Sequence, residues 1–297
     1  MADVTLQRVG VMSVGDMGAG FGDVMHQNGL QVYTCLAGRS DLTRLRAGEA
    51  GFIDTPDLDA LVSQVDLILS IIVPDEATNI AQQIADAMIR TGAKPAYADV
   101  NAIAPQTVRG IEKIIRDSGA KFIDAGIIGG PPRKGYTPFI PCSGPDTAIF
   151  QALTNYALDV RFVGEEVGQA SGLKMVYAAS TKGTTALWTE LLTAARILGL
   201  EDVLRAEIEE SPVYARTRNS IPSMPNRSRR WVGEMEEIAR TFEDIGMTPK
   251  ILLGAAEMYD LVGQTPLGDL TTRDPNPTVD EVIDALIERL SVRKRSD

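Results

Sequence analysis

The segment Val9-Gly10-Val11-Met12-Ser13-Val14-Gly15-Asp16-Met17-Gly18 decides the fold of this 297-residue chain. Residues 9–12 read as a short buried strand that runs straight into a turn opening a helix. Were Ser13 a glycine, the turn would be G-x-G-x-x-G. In that pattern the first glycine makes the tight turn, the second lets the backbone approach a pyrophosphate, and the third lets the helix pack closely on the strand. Gly15 and Gly18 hold the second and third places. Serine serves at the first if its backbone stays in an allowed region. The helix that follows presents N–H groups at its N-terminus, so Ser13, Val14, Gly15, Asp16, Met17 and Gly18 form a candidate dinucleotide-binding turn. The competing reading is a tight strand-to-helix turn in an α/β domain that binds no nucleotide.

Outward from this turn, short apolar runs at 31–37, 65–73, 96–99, 122–124 and 160–163 alternate with helical stretches at 18–28, 42–47, 77–90, 106–117 and 146–156. Pro105 and Pro145 stand where helices begin; Gly29, Gly92 and Gly119 stand where they end. Strand–helix–strand units with such short connections predict a Rossmann-type, doubly wound α/β fold, with a mostly parallel sheet covered on both faces. After Gly168 nothing alternates like a strand. One long helix is expected from 169 or 171 toward Leu200, with others at 201–209, 228–244, 250–262 and 279–290. The reading is therefore a dinucleotide-binding domain over 1–166 and an all-α domain over 167–297.

Composition narrows the chemistry. There is one histidine, His26, and there are two cysteines, Cys35 and Cys142. Structural zinc sites, Cys-His nucleophiles and Ser-His-Asp triads all need more, so no metal is expected and Lys, Tyr, Asp or Glu must move any protons. His26 falls inside the first helix, away from the expected substrate side. A net charge of −11, spread over both halves, excludes a basic nucleic-acid binder. Without a signal-peptide pattern or a membrane-length apolar run, the chain reads as cytoplasmic, with no membrane partner and both thiols reduced.

The second strand ends in Leu36-Ala37-Gly38-Arg39-Ser40, where an NAD-preferring site would place an acidic residue on the ribose. Arg39 and Ser40 instead suit a 2′-phosphate, so NADP(H) is expected in preference to NAD(H). Asp41 argues the other way, since one residue of register would bring a carboxylate to the ribose. Ser40 also reads as a helix N-cap.

Taken together, these residues resemble the β-hydroxyacid dehydrogenase and 6-phosphogluconate dehydrogenase superfamily. The likeness is greatest to its branch of NAD(P)-dependent oxidoreductases whose C-terminal helical domain has no assigned function. Residues Gly10 to Gly18 are similar to the family's G-F-I-G-L-G-x-M-G. Asp124-Ala125-Gly126-Ile127-Ile128-Gly129-Gly130 is similar to its D-x-P-V-S-G-G substrate loop. The stretch from Gly168 to Ala178 is similar to its glycine-led segment carrying a catalytic lysine, which falls on Lys174. The resemblance implies hydride transfer between nicotinamide and a hydroxyl or carbonyl carbon of a small, hydroxy-acid-like substrate. Lys174 would be the general acid/base, Gly129 and Gly130 would present substrate, Val73-Pro74 would form a wall over the cofactor, and the helical domain would serve a homodimer or higher homo-oligomer. Two departures stand out. Ile128 replaces the serine that contacts the substrate carboxylate, and Tyr177 and Ala178 stand where asparagine is usual, which brings Tyr177 and Lys182 forward as substrate-binding candidates.

From the residues alone, apolar flanks and Gly168 and Gly172 give Lys174 a desolvated setting that favours proton exchange near neutral pH; the other reading is a solvated lysine on a helix face. No tyrosine stands four residues before a lysine, so that dehydrogenase route is absent. Asn101, at the end of the fourth strand pattern, holds the nicotinamide ribose or substrate, or is an ordinary turn residue. Arg133 and Lys134 meet an anion or are solvated. Arg216, Arg218, Arg227, Arg229 and Arg230 bind an anion or pair with nearby carboxylates such as Glu209, Glu210, Glu234 and Glu236; pairing is the favoured reading. Two rivals remain: C=N reduction of the imine reductase type, against which the lysine argues, and a non-catalytic dinucleotide-binding or sensor protein.

Overall fold

The computed structural model describes residues 6–296, apart from the side chains of Arg216 and residues 293–296, so Arg216 and the Arg293-Lys294-Arg295 end lie outside the described residues. The elements of the first half are β1 (Arg8–Met12), α1 (Asp16–Gln27), β2 (Gln31–Cys35), α2 (Asp41–Glu49), β3 (Ile53–Thr55), α3 (Leu58–Gln64) and β4 (Leu67–Ser70). They continue with α4 (Ala77–Thr91), β5 (Ala96–Asp99), α5 (Pro105–Asp117), β6 (Phe122–Ala125), β7 (Phe139–Ser143), α6 (Ala148–Gln151) and β8 (Asp159–Gly164). The strands form one sheet in the order β3-β2-β1-β4-β5-β6-β7-β8, parallel throughout except for the antiparallel β6–β7 pair. This is the doubly wound Rossmann-type arrangement expected from the sequence. One buried layer, with Val9, Val11, Phe21, Met25 and Ile123, lies against α1 and α6. The other, with Ile68, Ile84, Tyr97, Ile111 and Phe122, lies against α3, α4 and α5.

Several boundaries differ from the sequence reading, each for a local reason. The run 65–73 forms a strand only over Leu67–Ser70. At its start the Asp66 carboxylate accepts the backbone N–H groups of Gln7 and Arg8; at its end the chain leaves the sheet toward Pro74. β3, α3 and β7 escaped notice: β3 has three residues, and β7 carries Pro141 beside a register irregularity at Cys142/Ser143. The helix expected over 146–156 is only α6 followed by a 3-10 turn that ends at Ala157, with φ +61°.

The chain divides into two compact units, residues up to 175 and residues from 176 on, within helix α7 (Gln169–Ala178). The long helix expected toward Leu200 is interrupted. α7 gives way to a π-helical segment, Ala179–Gly183, and then to α8 (Thr184–Ile197). The hydroxyls of Ser180, Thr181, Thr184 and Thr185 donate back to carbonyls of the preceding turn, and the Tyr259 hydroxyl donates to the Lys182 carbonyl at 2.6 Å. Such partners satisfy backbone groups released by the register change. The second unit continues with α9 (Glu201–Ile208), the unexpected α10 (Pro212–Arg218), α11 (Ser228–Asp244), α12 (Lys250–Gly263) and α13 (Val279–Ser296). α11 and α12 pack together with Trp231 edge-on to Tyr259 at 5.2 Å, and Met235 and Ile238 on α11 are buried. No helix among the described residues is long and apolar enough to cross a membrane.

The turn after β1 shows why its sequence is unusual yet sufficient. Ser13 has φ +71°, the left-handed conformation that glycine adopts without cost, so the geometry the pattern requires is present at a non-glycine residue. A Cβ on Gly18 would lie 2.2 Å from the Ser13 carbonyl oxygen, which makes glycine obligatory there. Ser13→Gly should therefore be neutral to stabilising, by up to about 1 kcal/mol, whereas Ser13→Val should cost about 2 kcal/mol or more. Urea denaturation of the two variants measures the contrast.

Candidate active site

In a sheet of this kind the loops leaving the carboxyl ends of the strands collect the functional groups. After β1, helix α1 opens at Gly15 with no side-chain cap, and a Cβ on Gly15 would meet nothing within 4 Å. The first turn of the helix is thus without a side-chain acceptor from its N-cap and has room at Gly15, which suits the close approach of a diphosphate. Asp16 would oppose an anion there, but Arg46 pairs with it at 2.5 Å. At the end of β2, Ser40 caps α2, accepting the Thr43 N–H at 3.4 Å. Arg39 is exposed beside it, and Arg44 donates to the Leu36 carbonyl at 2.7 Å, fixing the strand end. Asp41 is exposed in the first turn of α2. Ser13 to Gly18, Arg39 and Ser40 form a setting that fits a dinucleotide; Arg44 and Arg46, which the sequence reading passed over, join it because α2 returns them to the strand end.

After β4 the chain carries Val73 exposed and Pro74 at the start of a 3-10 turn. Asn101 governs this loop from the next strand. Its Oδ1 accepts the Ile72 N–H at 2.7 Å; its Nδ2 donates to Ser70 Oγ at 3.1 Å and Asp99 Oδ2 at 3.0 Å. The residue is buried, so the geometry gives its amide the work of tying the ends of β4 and β5 together.

Asp99 and Asp124 are register neighbours on β5 and β6, and both are buried. Burial pushes the Asp99 carboxyl up to about 7; the Asn101 donors hold it down and the nearby Asp124 charge adds to the rise. Burial also pushes the Asp124 carboxyl upward, against several donors that pull it down. Asp124 Oδ2 accepts the N–H groups of Gly168 at 2.8 Å, Ala170 at 3.1 Å and Ser171 at 3.2 Å, and the Ser143 hydroxyl at 2.8 Å.

Lys174 follows on the same helix. Its ammonium donates to the Ile127 carbonyl at 2.9 Å, so it lies against the loop that continues as Ile128, Gly129 and Gly130. A Cβ on Gly126 would press to 3.2 Å from Lys174 Cβ, which makes room at 126 a condition of this contact. Ile128 pairs with Phe139 across an extension of the β6–β7 hairpin. Gly129 has φ +141°, and it is followed by Gly130, whose N–H donates to the Tyr136 hydroxyl at 3.1 Å. Tyr136 is half-exposed, with the Arg133 guanidinium 5.6 Å from its ring centre. The sequence reading missed Tyr136 as a site residue; the signal was a tyrosine beside Gly135 in a loop that must double back on the diglycine.

The remaining candidates lie in the second unit. Tyr177 is half-exposed near the end of α7. The Lys182 ammonium pairs with Glu234 and sits 5.4 Å from the Trp231 ring centre. Of the arginine cluster, Arg218 pairs with Glu209, Arg229 with Asp269 and Arg230 with Glu234, so carboxylates meet the charges, as favoured from the sequence. His26 is exposed in α1 and packs beside Gly51.

Residues 8–156 match the family described as the NAD binding domain of 6-phosphogluconate dehydrogenase. The chain belongs to this family. Residues 195–262 also match a domain of unknown function, DUF1932. An uncharacterized 28.5 kDa protein encoded in the 7S RNA 5′ region of Methanothermus fervidus is 32% identical over 198 residues, 65% of this chain and 75% of that one. A conserved protein of unknown function, whose structure reveals similarity with 3-hydroxyacid dehydrogenases, is 30% identical with a TM-score of 0.66, covering 86% of this chain and 96% of that one. Mycobacterium tuberculosis 3-hydroxyisobutyrate dehydrogenase, solved with L-serine, shares the fold with a TM-score of 0.70 at 16% identity, over 95% of this chain and 99% of that one. Family membership makes the first unit an NAD-binding domain of the 6-phosphogluconate dehydrogenase type.

The raised Asp99 carboxyl has a consequence for stability. The folded chain keeps this proton up to about pH 7, while the unfolded chain releases it near its ordinary value of about 4. Between those values the folded state binds more protons, so this residue's contribution to stability falls as pH rises, by up to about 1.4 kcal/mol per pH unit. Asp99→Asn has no proton to lose. Its stability relative to the parent should improve from pH 5 to about pH 7 and level off above that in parallel urea titrations; a gap that does not move with pH would contradict the assignment.

Proposed function

We propose that the protein is an NADP(H)-preferring oxidoreductase acting between a hydroxyl and a carbonyl carbon of a small, acid-bearing substrate, with Lys174 as the general acid/base. The observation that carries this reading is the 2.9 Å contact of Lys174 Nζ with the Ile127 carbonyl, at the head of the loop Ile128-Gly129-Gly130. A nicotinamide dinucleotide, when bound, supplies or accepts the hydride. Ser13 to Gly18 hold its diphosphate through backbone N–H groups, and Val73 and Pro74 wall its pocket. Lys174 delivers a proton to the carbonyl oxygen in reduction and takes it back in oxidation. Ile128 cannot replace the family's serine in touching a carboxylate. Tyr136 offers a hydroxyl beside the same diglycine: its oxygen accepts the Gly130 N–H, which leaves its proton for a substrate oxygen.

Preference for the 2′-phosphate rests on exposed Arg39, with Ser40, at a strand end that bears no acidic residue before Asp41. Self-association is assigned to the helical unit, where Leu187, Leu191 and Ile251 are exposed. Retention of a lysine at 174 favours C=O over C=N reduction, and its seat on the substrate loop favours an enzyme over a sensor.

Lys174→Ala should lower kcat at least about 100-fold while leaving NADPH affinity within about threefold of the parent. Turnover assays over hydroxy acids and their oxo counterparts, with calorimetry for the cofactor, test this; undiminished turnover would refute the lysine mechanism. In the same calorimetry, Arg39→Ala should weaken NADPH by about tenfold and NADH by much less. Equal losses would refute the 2′-phosphate contact.

A further inference from the structure

Helix α7 lacks a cap from its own neighbourhood. Gly168 precedes it with φ +107° and no side chain, so the first-turn N–H groups need acceptors from elsewhere. Asp124, 44 residues earlier, supplies one acceptor, Oδ2, to the N–H groups of Gly168, Ala170 and Ser171. Its second oxygen, Oδ1, is buried without a hydrogen-bond partner, so the α7 N–H groups and the Ser143 and Ser171 hydroxyls all meet the carboxylate at Oδ2. Three residues along the same strand and loop, the Ile127 carbonyl receives Lys174 Nζ. Helix periodicity puts Lys174 on the face of Ala170 and Ser171. The segments 124–127 and 170–174 are therefore fastened at both ends, and Gly126 lies between the two fastenings, where a Cβ would meet Lys174 Cβ at 3.2 Å and the Ala170 carbonyl at 3.5 Å.

We infer that Asp124 is a positioning residue that sets the register of Lys174 against the substrate loop by capping α7 from strand β6. The inference rests on the reading of Lys174 as the proton-handling group only for its functional meaning; the clamp itself is testable without turnover. Asp124→Ala removes the acceptor. Asp124→Asn keeps an oxygen in the Oδ2 place, puts its amide nitrogen in the Oδ1 place, and removes the charge.

The experiment is competitive acetylation of the full chain across pH, read by mass spectrometry as the reactivity of Lys174 relative to exposed Lys113, with hydrogen exchange at 168–171 measured alongside. Asp124→Ala should raise relative Lys174 reactivity and exchange at 168–171 by about tenfold, and Asp124→Asn by about threefold, as expected for loss and weakening of a helix cap. Gly126→Ala, which spreads the clamp with the acceptor intact, should raise Lys174 reactivity by about threefold without accelerating exchange at 168–171 to the same degree. If Asp124→Ala does not fold, the other two variants decide. Lys174 reactivity equal to the parent's in the folded variants, or a rise that Lys113 shares, overturns the inference. A fully active Lys174→Ala would instead sink the acid/base reading and leave the clamp standing.

Discussion

A carboxylate shut away from water must find its partners inside the protein, and Asp124 finds them at the start of a helix that the chain reaches only after two further strands. This bond joins the last parallel strand of the doubly wound sheet to the helix bearing Lys174. It also explains the backbone around it. Gly168 must be left-handed to turn the chain under the carboxylate, Ser143 must carry a hydroxyl, and Gly126 must have no side chain. Asp99 is the neighbouring case: its partner is the Asn101 side chain, which in turn fixes the loop carrying Val73 and Pro74. Two buried acids thus organise the strand ends from which the candidate site is built.

The dinucleotide half was legible because its requirements are local. The turn after β1 is dictated by close backbone approaches, and Gly18 answers one that no other residue could. Ser13 shows the limit of pattern matching, since the backbone conformation is what the turn needs and serine adopts it at an energetic cost. Lys174 and the diglycine were also legible as candidates, each on its own stretch of chain. Their proximity was not, because it depends on a hydrogen bond between residues 47 apart in the sequence.

Other parts were hidden for the same reason. Tyr136 reaches Gly130 only because the β6–β7 hairpin folds back on itself, and nothing in the local pattern marks that pairing. Asn101 reads in sequence as a ligand for ribose or substrate or as a turn residue; that its side chain ties the β4 loop to Ser70 and Asp99 shows only in the fold. Lys182 was weighed beside Lys174, yet the π-helical segment delivers it to Glu234 and Trp231 in the helical unit. Serine and threonine spacing hints at such a segment, but the Tyr259 hydroxyl that completes it comes from α12.

The sequence by itself determined the alternation of strands and helices, the glycines at obligatory turns, the scarcity of histidine and the all-helical second half. These follow from short-range periodicity and sterics. Tertiary structure decided which polar groups are engaged and with what: Asp124 with the α7 start, Asn101 with the β4 loop, Lys174 with the Ile127 carbonyl. Hydrogen bonds and burial are satisfied across the fold rather than along the chain, so the same residue types read alike in sequence and act differently once packed.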